Sequence, residues 1–136
     1  MIEFVIDGDV PVNGMVSYKI FFGRKYYVGA TANIIKRVSW HKRTINNAMA
    51  NDYPGINSVN NIVNYIKKNK RIKTAKVVVI EWVDKEEELV QAEQTLLDIG
   101  FFDKKCLNFL YKAYRKVNGV EIRGTTFVGR CKPNLS

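Results

Sequence analysis

Histidine occurs once and cysteine twice in these 136 residues, which removes the commonest metal centres. A single histidine, His41, cannot build a histidine-rich site. Cys106 and Cys131 have no metal-ligand spacing and are too sparse for a disulfide scaffold. The pair fits reduced thiols in an intracellular compartment. No apolar run approaches the length that spans a bilayer, and the first residues, MIEFVIDGD, are acidic rather than a basic leader. The expectation is a chain with no membrane segment. Internal repeats and low-complexity linkers are also absent, so residues 1–136 read as one domain with a single core.

Acidic side chains are in the minority, 13 against 22 basic, for a net charge of +9 and a pI near 9.6. Such a surplus suits a polyanionic partner, because binding to phosphates releases counterions. Residues 101–136 hold 8 basic and only 2 acidic side chains, so the excess is concentrated near the C-terminus. The composition is otherwise that of an ordinary globular chain, and the basic surplus points to nucleic acid as the partner class.

The most informative stretch is VSYKIFFGRKYYVGATANIIKRVSWH, residues 16–41. VSYKIFF is apolar and β-branched, Gly23-Arg24-Lys25 is a polar turn, and YYVG opens a second strand, so strands are expected at about 16–23 and 25–29. A helical period follows over about 32–47, with Thr31 as its N-cap. Arg37 and His41 are four apart and share one helix face. A hairpin delivering Tyr18 and Tyr27, beside a helix delivering Arg37 and His41, can gather four polar groups around one phosphate.

The remaining pattern is α+β: a small central antiparallel or mixed sheet flanked by helices. EFVI near the N-terminus reads as an extra edge strand. MANDYPGINS is a loop broken at Pro54-Gly55. Apolar residues at 59, 62, 63 and 66 form a helical stripe, and KTAKVVVIEWV a central strand. Asp84 is expected to cap a helix over about 85–99, with Glu86, Glu87 and Glu88 favouring its dipole and Gly100 ending it. That acidic triplet is therefore explained by helix electrostatics and not by metal binding. Residues 103–114 read as a turn and short helix, and NGVEIRGTTFVGR as a hairpin around Arg123-Gly124.

The first stretch resembles the GIY-YIG endonucleases. Val16-Ser17-Tyr18 stands where that family has Gly-Ile-Tyr, and Tyr27-Val28-Gly29 where it has Tyr-Ile-Gly. Arg37 lies eight residues after Gly29, as in the family, and His41 four residues later. Glu93 in ELVQAEQTLLDIG and Asn108 in CLNFL fit the family's helical glutamate and later asparagine. The resemblance covers a core of about 14–113, leaving a basic C-terminal extension of about 114–136. The first tripeptide departs from the pattern but keeps its tyrosine.

The resemblance implies a metal-dependent hydrolase of DNA phosphodiester bonds, using Mg²⁺, with Mn²⁺ as a substitute, held by Glu93 as the protein's carboxylate. It gives Tyr18 the role of general base and Tyr27 that of orienting water or phosphate. A tyrosine of ordinary pKa near 10 is a weak base at neutral pH, so this role requires Arg37 or the metal to lower it. Arg37 would place a forked, permanently charged donor on the scissile phosphate. His41 would polarise Tyr18 or assist proton transfer. Gly29 leaves room for the phosphate or permits a positive φ, and Asn108 holds the active-site loop by hydrogen bonds. Asn57, Ser58 and Asn60 are the polar groups offered by the loop after the first helix. Lys36, Lys42 and Arg43 would position phosphates, as would Lys112, Arg115, Lys116, Arg123, Arg130 and Lys132 from the C-terminal part.

Two other functions compete with this reading. One is a catalytically inactive nuclease fold that binds or packages nucleic acid. The other is a basic protein-interaction module, supported by the charged extension alone. Cutting both strands with one active site requires a homodimer, a protein partner or sequential nicking. A small nuclease with little appended sequence suits a phage, mobile element, restriction system or repair accessory.

Overall fold

The computed structural model of the chain describes residues 1–51 and 58–126. Along the chain run β1 (Glu3–Asp7), β2 (Val16–Phe22), β3 (Lys25–Thr31), α1 (Ile34–Ala50), α2 (Ser58–Lys68), β4 (Thr74–Trp82), α3 (Glu88–Phe101), β5 (Tyr114–Val117) and β6 (Val120–Arg123). The first four strands form a mixed sheet in the order β1-β4-β2-β3, and β5 and β6 form a separate hairpin. β1 runs parallel to β4, while β2 is antiparallel to both β4 and β3. The architecture is α+β, and β1 is the edge strand expected from EFVI. Among the described residues, no helix is long and apolar enough to cross a membrane.

Period-two alternation gives the sheet two working faces. Val16, Tyr18, Ile20 and Phe22 of β2 point to one side, where they pack with Ile34, Val38 and Ile45 of α1 and Ile62 and Ile66 of α2. Tyr26 and Val28 of β3 point to the other side, against Val90, Leu96 and Leu97 of α3. Tyr27, between them, packs with the first cluster. The neighbouring tyrosines therefore part company: Tyr27 joins the α1 face, and Tyr26 joins the α3 core and donates to Asp103 Oδ2 at 2.8 Å.

Several boundaries differ from the sequence expectations. The N-cap of α1 is Asn33, whose Oδ1 accepts from Lys36 N at 3.1 Å, while Thr31 pairs with the backbone of Asn33 in the turn before it. Asp84 does not cap α3. Tight turns over Lys85–Glu88 and Glu86–Leu89 lead into that helix, and Glu88 reaches back to Lys85 N at 3.0 Å, half of a capping box. Gly100 lies inside α3, where its missing side chain admits Cys106 Sγ.

Residues 103–114 hold no helix; Cys106 instead makes a parallel bridge to Tyr26, flanking the free edge of β3. The described C-terminal hairpin turns at Asn118-Gly119, both with positive φ, and the second arm of the hairpin expected around Arg123-Gly124 runs largely outside the described residues. Pro54-Gly55, Asn57, Cys131, Arg130 and Lys132 lie outside the described residues. β4 is central as expected, but only its first half is well covered: Ala75 and Val77 are buried, whereas Ile80 and Trp82 are exposed. A register irregularity separates Ser17 from Tyr18 where β2 meets β4, and the buried Ser17 hydroxyl has no hydrogen-bond partner among the described residues.

Candidate active site

The antiparallel register of β2 and β3 sets Tyr18 opposite Gly29 and Ile20 opposite Tyr27. Both tyrosines thus reach the face covered by α1, whose 3.6-residue period turns Arg37 and His41 towards them. Tyr18 Oη and His41 Nε2 are 2.8 Å apart, and both residues are almost fully buried. The His41 ring also meets Tyr27 at 5.3 Å and Trp40 at 5.1 Å between centroids. The Arg37 guanidinium lies 5.5 Å over the Trp40 ring, a cation–π contact that helps fix its direction.

Glu93 approaches from the other side of the β3 edge, on α3. It shares with Tyr27, Trp40, His41, Ser58 and Lys112 the wall of a pocket of ≈ 320 Å³. Among the described residues, its carboxylate makes no ion pair and no hydrogen bond. Burial raises its pKa to about 7, and the charges of Arg115 and Arg37 oppose that rise. Arg115 itself is held 3.2 Å from Glu86.

The other titrations follow the same balance of burial and charge. Burial, followed by Arg37, lowers His41 to about 3, so its ring is neutral at physiological pH. Burial pushes Tyr27 up to about 12, with Glu93 adding to the rise and Arg37 opposing it. Tyr18 is raised well above the ordinary tyrosine value, because burial outweighs the lowering effect of Arg37. Arg37 lowers both hydroxyls as expected, but burial outweighs it, so without a metal both stay protonated at neutral pH. Arg37 acts electrostatically on Tyr18, Tyr27, His41 and Glu93 alike, which places its charge within reach of all four.

Gly29 is needed for a close approach. Its φ is not positive and the strand continues through it to Thr31, but a Cβ there would fall 2.5 Å from Tyr18 Oη. The glycine makes space for the tyrosine ring itself, not for a turn into the helix.

Asn108 works as a substitute strand residue. Its Oδ1 accepts from Val28 N at 2.8 Å and its Nδ2 donates to Val28 O at 2.9 Å, so one side chain completes the ladder between Tyr27 and Gly29. Cys106 Sγ also donates to Asn108 Oδ1 at 3.3 Å. Asn108→Ala should leave two buried backbone groups unpaired and cost about 2–4 kcal/mol. Urea denaturation checks this, and a loss below about 0.5 kcal/mol would contradict the role.

The structure thus gathers Tyr18, Tyr27, Gly29, Arg37, His41, Glu93 and Asn108 at one edge of the sheet, with Lys112 on the pocket wall. Lys36, Lys42 and Arg43 line a separate outward groove on α1, and Lys42 pairs with Glu3 at 3.3 Å. Lys116 and Arg123 belong to the β5–β6 hairpin, where Arg123 is 3.4 Å from Glu121. The first part of the basic extension is folded against α3, with Gly124 packed on the Gln94 side chain.

Sequence reasoning missed Trp40, although its place between Arg37 and His41 was a usable signal. It also missed Gln94, which is buried and bonds Tyr111 O at 2.9 Å and Ala113 N at 2.7 Å, fixing the segment that carries Lys112. Of the polar residues offered by the loop, Ser58 reaches the pocket, where its hydroxyl accepts from Phe109 N at 3.0 Å. No protein-family model, curated protein or solved structure matches the chain.

Proposed function

We propose that this protein is a divalent-metal-dependent endonuclease that hydrolyses DNA phosphodiester bonds in the pocket between β3, α1 and α3. The observation that carries this reading is Glu93: a recessed carboxylate, without an ion pair or hydrogen bond among the described residues, beside Tyr27 and within reach of the Arg37 charge. A buried acid left in this state is costly unless it serves a ligand. The described residues contain no cluster of three metal-ligating side chains. The donor set therefore fits a cation that takes most of its shell from water and phosphate, as Mg²⁺ does, with Mn²⁺ as a substitute.

Glu93 would hold the cation, which when bound supplies Lewis-acid relief of phosphate charge and acidifies water. Arg37 contributes a fixed positive charge on the same side of the pocket, where negative charge develops on the phosphate as the bond breaks. Tyr27, protonated at neutral pH, donates a hydrogen bond to phosphate or water. Tyr18 is too buried to touch substrate; it holds the His41 ring through the 2.8 Å bond. The neutral imidazole in turn keeps Tyr27 and Trp40 in place at the pocket wall. The Asn108 clamp on Val28 keeps Tyr27 at its depth.

Incubation of supercoiled plasmid with Mg²⁺ should yield nicked or linear product, and a chelator should stop it. Arg37→Lys should slow cleavage by roughly 10²-fold, since an ammonium lacks the guanidinium fork. Failure of the wild type to cut with either Mg²⁺ or Mn²⁺ would overturn the reading.

A further inference from the structure

Three segments that the pocket does not use meet at the far end of α2. The β2–β3 turn brings Arg24, the last turn of α2 brings Lys67 and Lys68, and the following segment brings Lys70 and Arg71. Packing holds them together. Gly23 has φ +64°, and a Cβ there would come 3.3 Å from Ile72 Cδ1, so the strand turn rests directly on the segment after α2. Ile72 N donates to Asn69 O at 3.0 Å, closing a tight turn with Lys70 and Arg71 at its two corners. Asn69 Nδ2 donates to Tyr65 O at 2.9 Å, tying that turn to the helix end. The Lys25 ammonium lies 5.0 Å over the Tyr65 ring.

The result is a shallow groove of ≈ 600 Å³ with Arg24, Lys67, Lys68, Lys70 and Arg71 in its wall and, among the described residues, no carboxylate. Elsewhere, Lys42 pairs with Glu3, Lys76 with Asp7 and Arg123 with Glu121. Arg24, Lys68, Lys70 and Arg71 make no ion pair among the described residues. The α2 dipole accounts for Lys67 and Lys68 at its C-terminus, but not for Arg24, Lys70 and Arg71, which lie outside the helix. Charges of one sign held together on hydrogen-bonded turns repel one another, a cost that a bound polyanion removes.

We propose that this groove is a second phosphate-binding surface, which grips the DNA duplex backbone to one side of the strand seated in the pocket. The inference rests on the nuclease reading for its choice of polyanion. α2 sets the spacing, because Ser58 at its start lines the pocket and Lys68 at its end stands by the groove. Ten helical steps span about 15 Å, or about four to five base pairs of duplex. A lipid surface fits less well: Tyr65 and Ile72, the large apolar groups of the groove, are half-buried, so no exposed apolar side chain is offered for insertion.

The test uses the full chain carrying Lys68→Gln, Lys70→Gln and Arg71→Gln together. Binding to a fluorescein-labelled 20-base-pair duplex is followed by anisotropy in chelator across a KCl series, so cleavage does not enter. The triple variant should bind at least tenfold more weakly at low salt, whatever the sequence. Its slope of log affinity against log salt should be shallower by about 2–3, one phosphate contact contributing about 0.9. Its thermal midpoint should be no lower than that of the wild type, since the substitutions relieve repulsion in the groove.

Equal affinity and slope in the two proteins would overturn the proposal, as would absence of duplex binding by the wild type. A loss confined to phosphatidylserine vesicles, with duplex binding unchanged, would also overturn it and assign the groove to membranes. The two readings fail separately. A wild type that binds through the groove but never cuts plasmid refutes the nuclease and leaves the groove, whereas one that cuts with an unchanged slope in the variant refutes the groove alone.

Discussion

Glutamine in place of Glu93 should raise the stability of the folded protein at pH 8 while abolishing metal-dependent cleavage. The carboxyl titrates at about 7 in the folded chain, against an ordinary value of 4.5, because burial disfavours its charge. Between those values the folded chain retains a proton that the unfolded chain has lost. Its stability relative to the unfolded chain is therefore greatest below pH 4.5 and declines until the group ionises near pH 7. Above that, the recessed charge costs about 1–3 kcal/mol after allowance for solvent near the pocket mouth.

The amide of Glu93→Gln keeps the shape and removes the charge. The variant's advantage in thermal midpoint should be clear at pH 8 and small at pH 4.5, both measured without divalent metal. Adding Mg²⁺ should stabilise the wild type and leave the variant unchanged, because a ligand that binds only the folded state raises its stability. Equal midpoint differences at the two pH values would refute the burial account of Glu93.

Gly29→Ala should be among the most damaging single-methyl changes the chain can suffer. The added Cβ would sit 2.5 Å from Tyr18 Oη and 2.6 Å from its Cζ, with the ring fully buried between β2 and α1. The clash falls on a rigid ring whose hydroxyl is bonded to His41, so neither partner can step aside without breaking that contact. Overpacking of this kind costs about 1–3 kcal/mol, and the loss of the buried hydrogen bond adds about 1 kcal/mol more. Cleavage should fall further than folding does, since Tyr27 and Trp40 both lean on the His41 ring. The double variant Gly29→Ala with Tyr18→Phe tests the mechanism: removing the clashing oxygen should recover part of the stability. If the double variant is less stable than Gly29→Ala alone, the close contact is not what makes this position a glycine.

Much of the frame is legible in the sequence, because it rests on local periodicity. Alternation at Val16, Tyr18, Ile20 and Phe22 and the short turn at Gly23-Arg24 fix the hairpin and its register. That register decides that Tyr18 and Tyr27 share a face while Tyr26 does not. The four-residue interval between Arg37 and His41 likewise needs only a helix.

What local pattern does not show is how contacts between distant parts of the chain are made. Asn108 bonds a strand 80 positions away, and no local pattern says that an amide will replace a strand there or that the segment around it will be extended rather than helical. The burial of Tyr18, which keeps its hydroxyl protonated, depends on α1 packing over β2 and is invisible in VSY. Packing also moves the start of α3 past Asp84, because the buried stripe begins only at Leu89 and Val90. The turn at Asn118-Gly119 is different, since an Asn-Gly pair between β-rich segments is a strong hairpin signal that was open to reading. The basic groove was hidden for a further reason: Arg24 lies far from Lys70 and Arg71 in sequence, and only the fold brings them together.

Supercoiled plasmid incubated with Mg²⁺ and either wild type or Glu93→Gln tests metal-dependent hydrolysis in the Glu93 pocket most directly, with both proteins shown to be folded by their thermal transitions. Wild type should yield nicked or linear DNA, none with chelator, and the folded Glu93→Gln protein should lose at least 10³-fold in rate. Equal cutting by the two proteins, or intact supercoiled DNA with the wild type, would contradict it.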